Sequence, residues 1–414
     1  MNRVSTQMSA LDSQYHTMMR EFQLNKSENR MQSGMRIQDL RDDPLAAAKS
    51  TRLQTNIVEL EQYMKNIGAV RENMSLTEQK LTEVLGYFPR IQELAVNGAN
   101  GIYDKQQYAA IADEIDQYIE AFADLVNEKD GKGNALFGGY EAKNSPFLIM
   151  RGRVEGTEGS KILDIQYRGD IGRNNAEITE NSLVSMNLPG NYAFWTENQS
   201  VYSSQDGTTY QVQANSTIRV DGVDIDLKEG DNIYAIIHRI NDSAAPVRAR
   251  LDPVRDSLVL ETTTPHQLWV EDLGGGTVLR DLGVVKEGRG IPPNNIADTA
   301  MVTGGSMFDT LISLRDSLYR GDIHGVNASL GGIELTVGSL SRTLGEIGAL
   351  TNRLDFAEKR LETEQAMFVN YNAKEVDVDI TEAIMHKNML EFAHQASLNV
   401  AGKILRPTLL DFLR

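Results

Sequence analysis

Residues 34–53 read GMRIQDLRDDPLAAAKSTRL. Helical patterning runs up to this stretch and away from it, yet Arg41-Asp42-Asp43-Pro44 in its middle should stop a helix. Either aspartate can accept from the free N–H groups that open a new helix. Pro44 suits the first helical position, where a missing N–H costs no intrahelical bond. Ala46, Ala47 and Ala48 leave room for a second backbone to come close. Arg36, Arg41 and Arg52 are the basic groups that could fold back on the two acids and fix an angle. An ordinary helix–turn–helix corner and a corner pinned by ion pairs both fit this spacing.

Upstream of the corner, Val4, Met8, Leu11, Tyr15, Met18 and Phe22 step by four and three, the spacing of a coiled-coil seam. Downstream, Leu53, Ile57, Leu60, Met64, Ile67, Met74, Leu81, Leu85 and Phe88 share one heptad frame, interrupted by Arg71 and Glu78. Gly86 and Pro89 predict a bend there. A further helix is expected over roughly 104–129, with Ile111, Ile115, Tyr118, Phe122 and Leu125 inward. The far end mirrors this. Ile347, Leu350, Leu354, Ala357, Leu361, Phe368 and Tyr371 step by three and four, and a last amphipathic segment starts near Ile380 with Met385, Met389, Phe392, Ala396 and Val400. Pro407 should end it. Leu405, Leu409 and Phe412 then mark an apolar tail.

Between about 138 and 297 the heptads vanish. Short alternating runs such as ILDIQYRGD, STIRVDGVDIDLKEGD and DSLVLETTT read as strands joined by tight turns. The fold class is therefore mainly α with a β-rich insertion, a coiled coil or helical bundle built from both termini that pair with each other.

The 414 residues suffice for two or three domains, and the net charge is −17. Such a chain offers phosphate backbones no broad counterion-releasing surface, so neither nucleic acid nor an anionic membrane is expected as partner. Cysteine is absent, which excludes thiolate chemistry, disulfides and cysteine-based zinc sites. The first residues carry no signal-peptide core and no apolar run of about 18 residues occurs, so no membrane insertion and no cleaved leader are expected.

No catalytic residue, cofactor or metal site is expected. Among His16, His238, His266, His324, His386 and His394 no pair has the i, i+4 zinc spacing. VDGVDIDLKEGD lacks the order of a calcium loop and reads as a hairpin with solvated acids. GGGT at 274–277 reads as a turn rather than a dinucleotide fingerprint.

RMQSGMRIQDLRDDPLAAAKSTRLQTNI resembles the N-terminal signature of the flagellins and flagellar hook-associated proteins. RIQELAVNGANG at 90–101 is similar to that family's next helix, and EVDVDITEAIMHKNMLEFAHQASLNVAGKILRPTLLDFLR to its C-terminal helix and tail. IADEIDQYIEAFADLVNEKDGKGNALFGGYEAKNSPF and IQYRGDIGRNNAEITENSLVSMNLPGNYAF resemble the hook–filament junction branch, the hook-associated protein 3 type, more than plain flagellin. Residues about 217–284 resemble a small β-rich module inserted in such proteins. The chain departs from the family at Pro89, Pro407 and Arg414.

The resemblance implies a polymer subunit in three layers. Residues 1–35 and 375–414 would form the terminal coiled coil (D0-like), 36–137 and 298–374 the helical bundle (D1-like), and 138–297 the outer β-rich domain (D2-like). Val4, Met8, Leu11, Tyr15, Met18, Phe22, Met385, Met389, Phe392, Leu405, Leu409 and Phe412 would make polymer contacts, and Arg36, Arg41, Asp42, Asp43, Pro44 and Arg52 the corner. Implied partners are hook-associated protein 1 on the hook side, flagellin on the filament side, further copies in a ring, and an export chaperone at the C-terminal helix. The place would be the flagellum, extracellular or periplasmic. A flagellin-type filament subunit and a secreted adhesin with a coiled-coil stalk are the alternatives.

One apolar stripe on one partner helix leaves little surplus over the entropy of ordering a long helix, so the termini are expected to take shape on neighbouring subunits. Met8, Met18, Met19, Met31, Met35, Met385 and Met389 crowd these segments. A flexible thioether fits irregular core gaps, or tolerates two different neighbours.

Overall fold

The computed structural model describes residues 2–39, 41–154, 157, 159–288 and 290–404. Along the chain the described elements are α1 (Asn2–Ser33), α2 (Pro44–Ala99), α3 (Lys105–Val126), β1 (Phe147–Gly152), β2 (Lys161–Tyr167), β3 (Asn175–Thr179), β4 (Ser182–Ser185), α4 (Gly190–Ala193) and β5 (Ser200–Asp206). Then come β6 (Ser216–Val220), β7 (Val223–Leu227), α5 (Ile233–Asn241), β8 (Val247–Leu251), β9 (Ser257–Thr262), β10 (Val270–Leu273), α6 (Val278–Asp281), β11 (Met301–Thr303), α7 (Met307–Arg320), α8 (Ile323–Val376) and α9 (Ile380–Ile404). Two compact units result: residues 1–64 with 358–414, and residues 65–357.

In the first unit α1 and α9 pack on each other. The two chain breaks beside them lie together. Met35 and Asp377 form an antiparallel bridge, Arg36 N–H donates to Val376 O at 2.7 Å, and Val378 N–H donates to Gly34 O at 3.0 Å. Nearby, Ser50 donates to Asn372 (2.7 Å) and Lys49 pairs with Glu375 (3.1 Å).

In the second unit α2 and α8 each bury a heptad stripe. On α2 the buried positions are Ile67, Val70, Met74, Thr77, Leu81, Val84 and Phe88, continuing to Ile91 and Ala95. Ile67, Met74, Leu81 and Phe88 are the positions expected from sequence; the alternate positions between them are corrected by one residue. Arg71 and Glu78 do not interrupt the stripe. They sit half-buried on its flank, where Arg71 pairs with Asp355 of α8 at 2.7 Å, while Val70 and Thr77 fill the seam. On α8, Val326, Ile333, Leu340, Ile347 and Leu354 recur every seven residues.

α2 continues through Pro89. Proline frees the carbonyl four residues earlier. Pro89 is on the exposed face, where that carbonyl can turn to water.

α3 opens with a capping box between Asp104 and Gln107, and α7 with one between Ser306 and Asp309. α3, α7 and β2 enclose a charge cluster. Arg315 is fully buried, 2.9 Å from Asp116 and 2.7 Å from Asp316, and Lys161 lies 2.9 Å from the other Asp116 oxygen.

Beyond it, Phe137, Phe147, Tyr167, Phe194 and Phe308 pack edge-on or tilted in one cluster with ring centroids 4.8–6.0 Å apart. Most of these rings come from the segments that set this chain apart from plain flagellin in the sequence reading. The glycines between them are required by space. A Cβ on Gly190 would lie 2.7 Å from the Tyr167 ring, and one on Gly139, at φ +72°, 2.1 Å from an Asp170 carboxylate oxygen.

The β-rich region forms a four-stranded sheet in the order β11-β5-β9-β8, a three-stranded sheet β10-β6-β7, and the hairpins β1-β2 and β3-β4, all antiparallel. Its core gathers Val201, Ile218, Ile236, Leu258, Val270 and Leu279 among others. The helix α5 within it was not foreseen. Asn232 caps it by accepting from Ala235 N–H. The VDGVDIDLKEGD hairpin is present as β6 and β7, but its acids are not all solvated. Asp221, at the turn, holds buried His266 at 2.9 Å and accepts from Trp269 N–H, and Asp231 pairs with Arg239 at 2.9 Å.

Candidate functional site

The corner is built as the stretch 34–53 suggested, with different partners. Asp43 accepts from Ala46 N–H at 3.1 Å and Pro44 takes the first helical position of α2. Arg36 reaches Asp43 at 3.6 Å and also donates to the Glu375 carbonyl at 2.8 Å. Arg41 and Arg52 are exposed and form no ion pair with either acid among the described residues. Asp42 is held instead from α1. Lys26 hydrogen-bonds to it, Arg30 lies 3.4 Å away, and Gln38 N–H donates to its second oxygen. These bonds, Lys26 first, lower the Asp42 carboxyl to about 2 against the cost of burial. Lys26 and Arg30 were missed in the sequence because the basic residues sought lay next to the acids. Their position on one face in the last two turns of α1 was the available signal.

Ala46 is buried, in keeping with a close approach, and Ala48 is exposed. Arg30 also completes the C-terminal turn of α1, where a cation is favoured by the helix dipole.

The expected contact stripes lie elsewhere than in the seam between α1 and α9. Met8, Leu11, Tyr15, Met18 and Phe22 of α1 are 59–70% exposed, and Met385, Met389 and Phe392 of α9 are 60–76% exposed. The Val4 side chain, Leu405, Leu409 and Phe412 lie outside the described residues, as does Pro407.

The seam uses another heptad row on each helix. On α1 it is Ser13, Thr17, Leu24, Ser27 and Met31; on α9 it is Ala383, Lys387, Leu390, His394, Ser397 and Ala401. Small and polar side chains predominate in both rows. His394 Nδ1 and Arg30 Nε are buried there without a hydrogen-bond partner. The pairing of α1 with α9 thus spends little apolar surface and leaves an exposed apolar stripe on each helix, and beside the seam a groove is lined by Ser13, His16, Thr17, Phe392 and Val400.

More than half of the exposed large apolar side chains among the described residues belong to this unit, which holds under a third of the chain. Contiguous apolar surface of this kind marks an interaction site. The charge follows the same division. Residues 1–64 and 358–414 carry 15 basic and 17 acidic side chains, against 26 and 41 in residues 65–357. Self-repulsion is therefore low where the apolar stripes are and high in the second unit.

Among the described residues no group of histidine and carboxylate side chains is placed to hold a metal ion, and no helix is long and apolar enough to cross a membrane.

Residues 4–142 match the bacterial flagellin N-terminal helical region, and residues 208–264 the flagellin hook IN motif, within the β-rich insertion. The flagellar hook-associated protein 3 of Salmonella typhimurium is 28% identical over 189 residues, 45% of this chain and 59% of that protein. That of Escherichia coli is 28% identical over 176 residues, 41% of this chain and 56% of that protein. The matched stretches thus span less than two thirds of either relative. The crystal structure of flagellar hook-associated protein 3 from Legionella pneumophila is similar with a TM-score of 0.47 and 17% identity, over 78% of this chain and 98% of that one. The N-terminal helical region and the hook motif of the flagellins are thus both matched in this chain, in that order.

Proposed function

We infer that this chain is a structural subunit of the bacterial flagellum that forms the hook–filament junction. The observation that carries the reading is the outward apolar stripe on each of α1 and α9. An isolated chain gains nothing from exposing Leu11, Phe22 and Phe392; a subunit that docks laterally on its neighbours buries them. The likeness to two hook-associated proteins 3 supports a junction role over that of a filament subunit. On this reading residues 1–35 and 375–414 line the tube, 36–137 with 298–374 form its wall, and 138–297 face outward. The chain forms a ring with its own copies between hook-associated protein 1 and flagellin. It travels unfolded to its site, with an export chaperone covering the C-terminal helix until then.

Deleting the gene and imaging the cells tests this. Intact hooks without filaments, with flagellin shed outside or into the periplasm, are expected. Filaments that persist on such cells would end the junction reading. A filament-subunit role predicts that this chain vastly outnumbers hook protein in purified flagella, and quantitative mass spectrometry separates the two.

A further inference from the structure

We propose that Met8, Met18, Met385 and Met389 are a modification site for peroxide-class oxidants, and that their conversion to sulfoxides closes the outward stripes to assembly. The proposal rests on the assembly reading above and adds a chemical control to it. These four side chains are 60–70% exposed, whereas every other described methionine is 46% exposed or less, and Met74 and Met307 are buried in the second unit. An oxidant reaching the free chain therefore meets the stripes first. No cysteine is present to compete for it, and the thioether is the group oxidised.

The step balances simply. A lone pair on the methionine sulfur attacks one peroxide oxygen, an S–O bond forms as the O–O bond breaks, and the remaining oxygen leaves as water after proton transfer. Sulfur is oxidised by two electrons and peroxide is reduced by two. The product is polar where the thioether was apolar. In the free chain the new oxygen stays in water, so α1, α9 and their seam of small and polar residues are undisturbed. In an assembled neighbour's contact the oxygen would be desolvated among side chains such as Leu11, Phe22 and Phe392, which donate no hydrogen bond, and a buried acceptor without a donor opposes association. Oxidation thus separates assembly from folding.

Purified full-length chain, treated with hydrogen peroxide and then quenched, would be added with flagellin to hooks isolated from cells lacking the gene. Peptide mass spectrometry reads the sulfoxide occupancy of each methionine, and electron microscopy the fraction of hooks bearing filaments. Untreated chain should restore filaments. Treated chain, with oxygen found chiefly at the four positions and an unchanged circular dichroism spectrum, should restore them at least tenfold less. Treatment with the pair of methionine sulfoxide reductases, one for each epimer, should return activity. The variant with all four changed to leucine should resist peroxide. Oxidised chain that restores filaments as well as untreated chain, or a leucine variant that loses activity equally on treatment, would overturn the proposal. Hooks that grow filaments with no added chain would instead remove the assembly reading, and this proposal with it.

Discussion

Arg30 Nη2 lies 3.4 Å from Asp42 Oδ1, so the last turn of α1 is tied to the residue just before the cap of α2. Lys26, one turn earlier, joins the same oxygen. Asp42 is nearly buried while both cations remain partly exposed. Replacing it by asparagine keeps the shape and removes the charge. The expected loss is about 1–2 kcal/mol, toward the low end for charge-assisted bonds because solvent reaches the cations. Hydrogen exchange should quicken at residues 26–43 and stay unchanged in the β-rich region.

The same carboxylate gives the corner a pH dependence of definite sign. Its folded value, about 2, lies below the ordinary 3.8. A carboxyl depressed by folding adds stability that is fully present above about pH 4 and fades as pH falls toward about 2. Wild-type protein should therefore lose protection at the corner across that window. Asp42→Asn should show a flatter dependence there, and equal slopes in the two proteins would refute the assignment.

Asp43 acts on the backbone of α2 through Ala46 N–H. Asp43→Ala should raise the exchange rates of the first-turn amides of α2, whereas Asp43→Ser, which can still cap, should leave them nearly unchanged. A rise of equal size in both would mean that the link to Arg36 matters more than the cap.

Leu11→Asp with Phe392→Asp tests the outward stripes. Both side chains are exposed in the free chain, so its stability should change by no more than about 0.5 kcal/mol for each substitution and its thermal midpoint should move little. Filament formation on hooks should be lost. A variant that melts early would show instead that the stripes pack within one chain.

Arg315→Ala should be the most damaging single change in the second unit. It leaves Asp116 buried with Lys161 as its remaining cation and removes one tie between α3 and α7, leaving the Tyr319–Asp113 bond. Removal of one partner from a buried ion pair costs roughly 3–5 kcal/mol, measurable by urea unfolding.

The corner and the terminal heptads were legible because Asp-Pro and a four-and-three spacing each have one local cause. On α2 Met74, Leu81 and Phe88 stayed in frame, while the alternate positions slipped by one residue. Val70, Thr77 and Val84 fill the seam in place of Arg71, Glu78 and Leu85, and small β-branched side chains announce burial less clearly than a leucine does. The hardest point was which stripe faces which partner. Spacing identified Met8 through Phe22 as an apolar row, but any apolar row fits a seam, and Ser13, Thr17 and Ser27 gave no apolar signal for the real one. Arg315 and Asp116, 199 residues apart, could be joined only in three dimensions.

The bridge between Met35 and Asp377 sets the phase of both terminal helices at once. One residue inserted into the last turns of α1, between Leu24 and Ser33, would turn the rest of that helix by about 100° about its axis relative to the bridge, swinging its apolar row out of step with that of its companion. Hairpin turns in the insertion carry no such rotational lock, so length variation should be tolerated there and forbidden at the joint.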